Sequence, residues 1–284
     1  MKVEFLNREP DNTRLILIMA GWSAGPEAVD NIALPGWDVA VAYDFTDLSL
    51  DDSFLERYYT VYVFAWSLGV AASSLISRKE AITAAFAING TLSPADDSDG
   101  IPIEIFNGTL AGLDERNLYK FRLRMAGDRR KATELHEAAS RDIGNLRQQL
   151  ANMMDLQASG RISEAERLPW VRAFISRDDR IFPPENQRNS WKKALDVEIV
   201  ELNGAHLPSF SSVARMVIAD TGMVSRRFSK ASGSYDRNAI AQYSAAMRLA
   251  AMLDGANAKA HPSVLEIGCG TGLFSKEYGR LLSP

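Results

Sequence analysis

Tyr58-Tyr-Thr-Val-Tyr-Val-Phe-Ala-Trp-Ser-Leu-Gly-Val-Ala-Ala-Ser-Ser-Leu75 is the stretch on which the fold turns. Its first seven residues are aromatic or β-branched almost without a break, the pattern of a strand buried on both faces of a parallel sheet. The small residues Val70 to Leu75 predict a helix leaving on the other side. Between them stands Ser67-Leu68-Gly69, so the serine occupies a strand-to-helix turn. Such a turn, Gly-x-Ser-x-Gly in its usual form, is sharp and strained, and small flanking residues let the backbone pass close to its neighbours while the hydroxyl is lifted clear. Here Ala65 replaces the first glycine and Gly69 is retained. The plain alternative is a serine capping a helix; the strand–turn–helix order favours a nucleophile.

Working outward, Arg14–Met19, Trp37–Ala42 and Ala81–Ile88 are further apolar strand candidates, separated by turn and helix signals. From about Leu113 to Leu168 the chain is charged and helix-favouring, with no strand candidate; strands return at Trp170–Ile175 and Val197–Glu201, and a helix follows from about Ser209. This alternation predicts a three-layer α/β fold, and with the Ser67 turn it reads as an α/β-hydrolase over 1–222, with a mostly parallel central sheet, helices on both faces and a helical lid inserted at about 108–169. Beyond it lie a polar junction (225–235), an amphipathic helix (239–253), and Val264-Leu-Glu-Ile-Gly-Cys-Gly-Thr-Gly272, a strand running into a glycine loop. Residues 223–284 are therefore read as a linker followed by a short Rossmann-like fragment.

The 284 residues are 46% hydrophobic and 24% charged, as expected of a packed globular chain. A formal charge of −4 argues against a general nucleic-acid or anionic-membrane binder. The single cysteine, Cys269, excludes an internal disulfide framework and suits a reducing, cytoplasmic setting. Met1–Phe5 does not begin a signal peptide, and the apolar runs are shorter than a membrane span.

A serine nucleophile needs a base, and the base an orienting acid, in the chain order serine, acid, histidine. There are three histidines. His136 falls in the charged lid, where a solvated side chain is expected, and His261 falls in the tail. His206, in Asn203-Gly-Ala-His-Leu-Pro208, follows the last strand, where the base belongs. For the acid, Ser176-Arg-Asp-Asp-Arg-Ile-Phe-Pro183 offers two neighbours. The spacing to the apolar pair and proline selects Asp179, leaving Asp178 as a turn former. The oxyanion requires two backbone N–H donors, expected from Leu68 and, in the loop Ala20-Gly-Trp-Ser23, from Trp22.

Ala-Gly-Trp at 20–22, Ala-Trp-Ser-Leu-Gly-Val at 65–70, Asn-Gly-Thr-Leu at 107–110, Lys-Phe-Arg-Leu-Arg-Met at 120–125 and Ala-His-Leu-Pro at 205–208 together resemble the BioG family over about residues 1–217. That resemblance implies an esterase acting on pimeloyl-[acyl-carrier-protein] methyl ester in biotin synthesis. It further implies Ser67, Asp179 and His206 as the triad, acyl carrier protein as the partner bearing the substrate, and no cofactor or metal. Phe228–Tyr235, Ala241-Gln242 and the 265–272 loop resemble the start of a BioC-type malonyl-carrier methyltransferase. There Glu266, Gly268, Gly270 and Gly272 form the S-adenosylmethionine motif. Only one strand and helix of such a unit are present, too little to bury an apolar face, so a remnant without transferase activity is expected.

With an acidic carrier as partner, the lid's cations acquire a use. Lys120, Arg122, Arg124, Arg129, Arg130, Lys131 and Arg141 would steer such a protein; the plain alternative is a solvated helix face with intrahelical ion pairs. Two other functions are compatible with the sequence: a broader carboxylesterase or thioesterase with the same triad, or a catalytically silent scaffold.

Overall fold

The computed structural model describes residues 1–140, 142–194, 196–219, 240–255, 274–276 and 279. Seven strands form one sheet: β1 (Lys2–Asn7), β2 (Arg14–Met19), β3 (Trp37–Tyr43), β4 (Thr60–Trp66), β5 (Ala84–Ile88), β6 (Trp170–Ser176) and β7 (Glu198–Leu202). Their order is β1-β3-β2-β4-β5-β6-β7, with only β1 antiparallel to its neighbour. This is the expected α/β-hydrolase sheet. From Leu15 to Met19 and from Val61 to Trp66 every side chain is buried, as strands covered by helices on both faces require. An aromatic file crosses the sheet: Trp37 to Tyr62, Tyr62 and Phe64 to Phe86, and Phe86 to Phe174, with centroids 4.9–6.5 Å apart. On β5 the residue in register with Ala65 is Ala87.

Three expectations change in detail. Lys2-Val-Glu-Phe-Leu-Asn7 is an edge strand that the sequence reading passed over, half-exposed in alternation. β5 starts at Ala84 rather than Ala81, because Lys79–Ala81 makes a tight turn first. The helix after Ser67 is short, α1 (Gly69–Ala72), followed by a single 3-10 turn at Ser73–Leu75.

The lid begins before residue 108. It consists of α2 (Ile103–Ala111), α3 (Glu115–Ala126), α4 (Arg129–Ala138), α5 (Ile143–Ala158) and a 3-10 segment at Arg161–Arg167. Three of its helices start on the same device. Asp114, Asp128 and Asp142 each accept from the amide three residues on, at 2.6, 2.9 and 3.0 Å, satisfying a donor that the first turn leaves free. Gly127, at φ +68°, closes α3 in the left-handed conformation that a residue with a Cβ resists. Helix α5 is fastened to the sheet's loops. Asn152 Nδ2 donates to the carbonyls of Phe45 and Thr46, and the Gln157 side chain pairs with both backbone groups of Ala95.

After β6 and β7 come α6 (Pro184–Lys192) and α7 (Phe210–Ala219). Met1–Ala214 and Arg215–Pro284 separate as two units. In the second, a helix lies where one was expected, α8 (Ile240–Gly255); its apolar side chains Tyr243, Met247, Leu249 and Met252 are exposed, so it is not segregated into two faces as expected. Glu266, Gly268, Gly270 and Gly272, with His261, Cys269 and Arg141, lie outside the described residues. No described helix is long and apolar enough to cross a membrane.

Candidate active site

The triad candidates and the Trp22 loop all sit at the carboxyl ends of strands, the edge where open parallel sheets place their ligands. The Trp22 loop follows β2, Ser67 follows β4, Asp179 follows β6 and His206 follows β7. Ser67 has φ +58°, a conformation that costs a non-glycine residue of order 1 kcal/mol and marks the sharp turn inferred from sequence. Its amide donates to the Ile88 carbonyl at 3.0 Å. The turn passes so near other backbone that two positions admit only glycine. A Cβ on Gly69 would stand 2.1 Å from the Met19 carbonyl oxygen, and one on Gly90 2.3 Å from that of Ser67.

Ser67 Oγ lies 2.8 Å from His206 Nε2, and His206 Nδ1 lies 2.8 Å from Asp179 Oδ2. All three side chains are buried. Asp179 also accepts from the amides of Ile181 (2.8 Å) and Phe182 (3.0 Å) and from Gln187 Nε2 (2.9 Å). With the carboxylate surrounded by donors, His206 Nδ1 donates to it, and Nε2 accepts from the serine hydroxyl. A hydroxyl, an imidazole and a carboxylate in this series can pass a proton from Ser67 as its oxygen attacks an electrophile. Asp178, the competing carboxylate, is exposed, and its amide bonds the Gly204 carbonyl.

Four residues that the sequence reading left out hold this row in place. Asn89, at φ +48°, donates through Nδ2 to the His206 carbonyl (2.8 Å) and to Ser176 Oγ (2.9 Å), while its Oδ1 accepts from the Ser176 amide (2.7 Å). Trp66 Nε1 donates to the same His206 carbonyl at 2.9 Å. Phe182 stacks on the imidazole, with rings 9° from parallel and 6.1 Å apart. Gln187, fully buried, joins Asp179 to the Phe182 carbonyl. Asn89-Gly90 after an apolar strand was a visible turn signal; Gln187 had none.

Trp22 and Leu68 flank the nucleophile, and both line the same cavity as Ser67. Among the described residues, neither backbone amide has a hydrogen-bond acceptor within the chain. The cavity measures about 670 Å³. Its walls include Ile101, Phe106, Leu113, Phe121 and Leu150, so lid helices make much of its apolar lining; exposed Lys120, Arg124 and Arg180 also border it, against one acid, Glu104.

The proposed carrier patch divides. Arg124 is exposed on the cavity wall. Arg129, Arg130 and Lys131 are exposed on the first turn of α4, away from the cavity lining, with Arg130 3.6 Å from Glu134. Arg122 must be corrected. It is fully buried and cannot meet a partner protein; its Nη2 donates to the carbonyls of Ser23 (3.0 Å) and Ser140 (2.7 Å). His136 is likewise not simply solvated. Its Nδ1 lies 3.2 Å from Arg122 Nη1, and its ring meets Tyr119 edge-on at 5.2 Å.

Comparison with known proteins bears on the family and the fold. Residues 1–216 match the family described as pimeloyl-ACP methyl esterase BioG. The crystal structure of BioG from Haemophilus influenzae is 34% identical, covers 74% of this chain and 95% of its own, and superposes with a TM-score of 0.66. A malonyl-[acyl-carrier protein] O-methyltransferase of Bacteroides fragilis is 34% identical over 97% of this chain. The chain spans 56% of that relative's length. A lipase-esterase related protein of Clostridium acetobutylicum, 10% identical with a TM-score of 0.56 over 77% of this chain and 98% of its own, shares the fold.

Proposed function

This chain belongs to the BioG family of pimeloyl-ACP methyl esterases, and on that premise we propose that it hydrolyses pimeloyl-[acyl-carrier-protein] methyl ester to the free acid and methanol in biotin synthesis. The observation that carries this is the row Ser67–His206–Asp179 opening on an apolar cavity bordered by cations. Apolar walls suit a methylene chain, and Lys120, Arg124 and Arg180 suit an acidic carrier at the cavity's edge.

In the mechanism, His206 takes the proton of Ser67 as Oγ adds to the ester carbonyl. The Trp22 and Leu68 amides hold the oxyanion, an interaction worth about 10²–10³ in rate per donor. Methanol departs with the proton from His206. A water then gives its proton to the same imidazole, adds to the acyl-serine, and the second tetrahedral intermediate collapses to the ω-carboxylate with Ser67 restored. Asp179 orients His206 and stabilises the imidazolium formed in each half.

Residues 223–284 we read as a linker and the start of a methyltransferase unit. The match to the Bacteroides methyltransferase, which extends over nearly the whole chain, supports that reading.

A serine-directed fluorophosphonate probe tests the nucleophile. Labelling of the wild type that disappears in Ser67→Ala, with parallel loss of hydrolysis of a small methyl ester, is the expected result. Equal labelling and turnover in Ser67→Ala overturns the assignment.

A further inference from the structure

Arg122, fully buried on α3 of the lid, is distant in sequence from the groups of the active site, yet it grips the loop that carries one of them. Its Nη2 bonds the carbonyl of Ser23, the residue after Trp22. Ser23 itself is buried at φ +61°, a left-handed conformation that a serine does not hold without outside restraint. The same guanidinium nitrogen bonds the Ser140 carbonyl just beyond α4, while Nη1 meets His136 on α4. An arginine has donors only, so His136 Nδ1 is the acceptor in that pair. A second lid tether acts on Trp22, whose indole Nε1 donates to the Leu146 carbonyl of α5 at 2.9 Å. The ring meets Phe121 of α3 edge-on at 4.7 Å. The loop then runs tight against the nucleophile, for a Cβ on Gly21 would stand 2.9 Å from Ser67 Cβ.

We propose that Arg122 is a positioning residue for the oxyanion hole: the lid, through Arg122 on Ser23 and the Leu146 carbonyl on Trp22, fixes the direction of the Trp22 N–H. The tethers grip the loop from two sides of one strained residue. With both in place, the peptide plane between Gly21 and Trp22 has little freedom to turn its N–H away from the attacking oxygen. With one released, Ser23 relaxes toward negative φ and the donor swings off line. The lid is therefore part of the catalytic machinery as well as a cavity wall. This rests on the serine mechanism proposed above, and the test keeps the two separable.

The experiment compares the wild type with Arg122→Met and Arg122→Lys on a small methyl ester. It also measures inhibition by a chain-matched trifluoromethyl ketone, which binds as a tetrahedral oxyanion, against the corresponding secondary alcohol, which does not. A Ser67→Ala control that abolishes turnover keeps the serine mechanism standing whatever Arg122 shows. The expected result is a kcat about 10–100-fold lower with KM little changed, part of the loss of a full oxyanion donor. Affinity for the ketone falls in step, affinity for the alcohol stays constant, and Arg122→Lys recovers part of the loss. Where the Arg122 variants do not fold, Trp22→Phe decides, since it keeps a ring against Phe121 and removes the bond to Leu146; the same parallel loss of kcat and ketone affinity, beyond any change in KM from the smaller ring, is expected. A folded variant with unchanged kcat and ketone affinity, or one in which KM alone rises, overturns the proposal.

Discussion

Replacing Asn89 with alanine removes three hydrogen bonds from a fully buried site. The Ser176 amide loses its acceptor at 2.7 Å, and a buried orphan donor costs about 2 kcal/mol. The His206 carbonyl keeps the Trp66 indole as partner, so that loss is nearer to about 1 kcal/mol. Ser176 Oγ, also buried, loses the donor from Asn89 and adds about 1 kcal/mol. Alanine at φ +48° adds about 1 kcal/mol of backbone strain. The sum is about 5 kcal/mol, or a fall in Tm of roughly 10–20 °C for a unit of this size. With one of its two carbonyl tethers gone, His206 drifts from Ser67, and kcat on a small ester falls by about tenfold. Thermal unfolding of Asn89→Ala beside Asn89→Gly separates the two terms, because glycine removes the strain but not the lost bonds; Asn89→Gly is expected to be the more stable by about 1 kcal/mol. A Tm within about 2 °C of wild type with unchanged kcat would refute the claim that Asn89 holds the base.

Gly90→Ala drives a methyl group to 2.3 Å from the Ser67 carbonyl oxygen. Backbone cannot yield as a side chain does, so activity is expected to collapse and Tm to drop, read by ester hydrolysis and calorimetry; wild-type kcat in this variant would contradict the packing described. Burial, reinforced by the 2.6 Å bond to Asp38, pushes the Tyr58 phenol up to about 12 from its ordinary 10. Because the folded value is the higher one, this stabilisation is whole below pH 10 and is lost as pH climbs from 10 toward 12. The Tm of wild type should fall more steeply than that of Tyr58→Phe over that range, and parallel curves would count against it. Reversing Lys120 and Arg124 together should weaken turnover of carrier-bound ester at low salt while sparing a small free ester. The same reversal at Arg129 and Arg130, off the cavity, should have the smaller effect, and equal losses on both substrates would exclude a carrier-docking role.

What the sequence disclosed and what it hid follow a physical line. The buried parallel strands announce themselves because both faces are covered, so no polar residue interrupts Leu15–Met19 or Val61–Trp66. Ser67, Asp179 and His206 follow from strand ends, where residue type and chain order are both constrained. The edge strand Lys2–Asn7 was missed although its alternation was present, because short half-exposed runs resemble loop. Asn89 and Gln187 escaped because their bonds to Ser176, His206, Asp179 and Phe182 exist only after folding; Asn89 lies 117 residues from His206. Arg122 misled for the opposite reason. In a run with Lys120 and Arg124 it reads as one more surface cation, and only the packing of α3 turns it inward onto Ser23.

The central claim is that Ser67 opens the distal methyl ester of a carrier-bound pimeloyl chain through an acyl-enzyme. Mass spectrometry of that substrate after incubation in ¹⁸O-labelled water tests it most directly. The expected outcome is pimeloyl-carrier with one heavy oxygen in its new carboxylate, unlabelled methanol, and an untouched thioester, with no conversion by Ser67→Ala. Release of free carrier thiol, heavy oxygen in the methanol, or conversion by Ser67→Ala at the wild-type rate would contradict it.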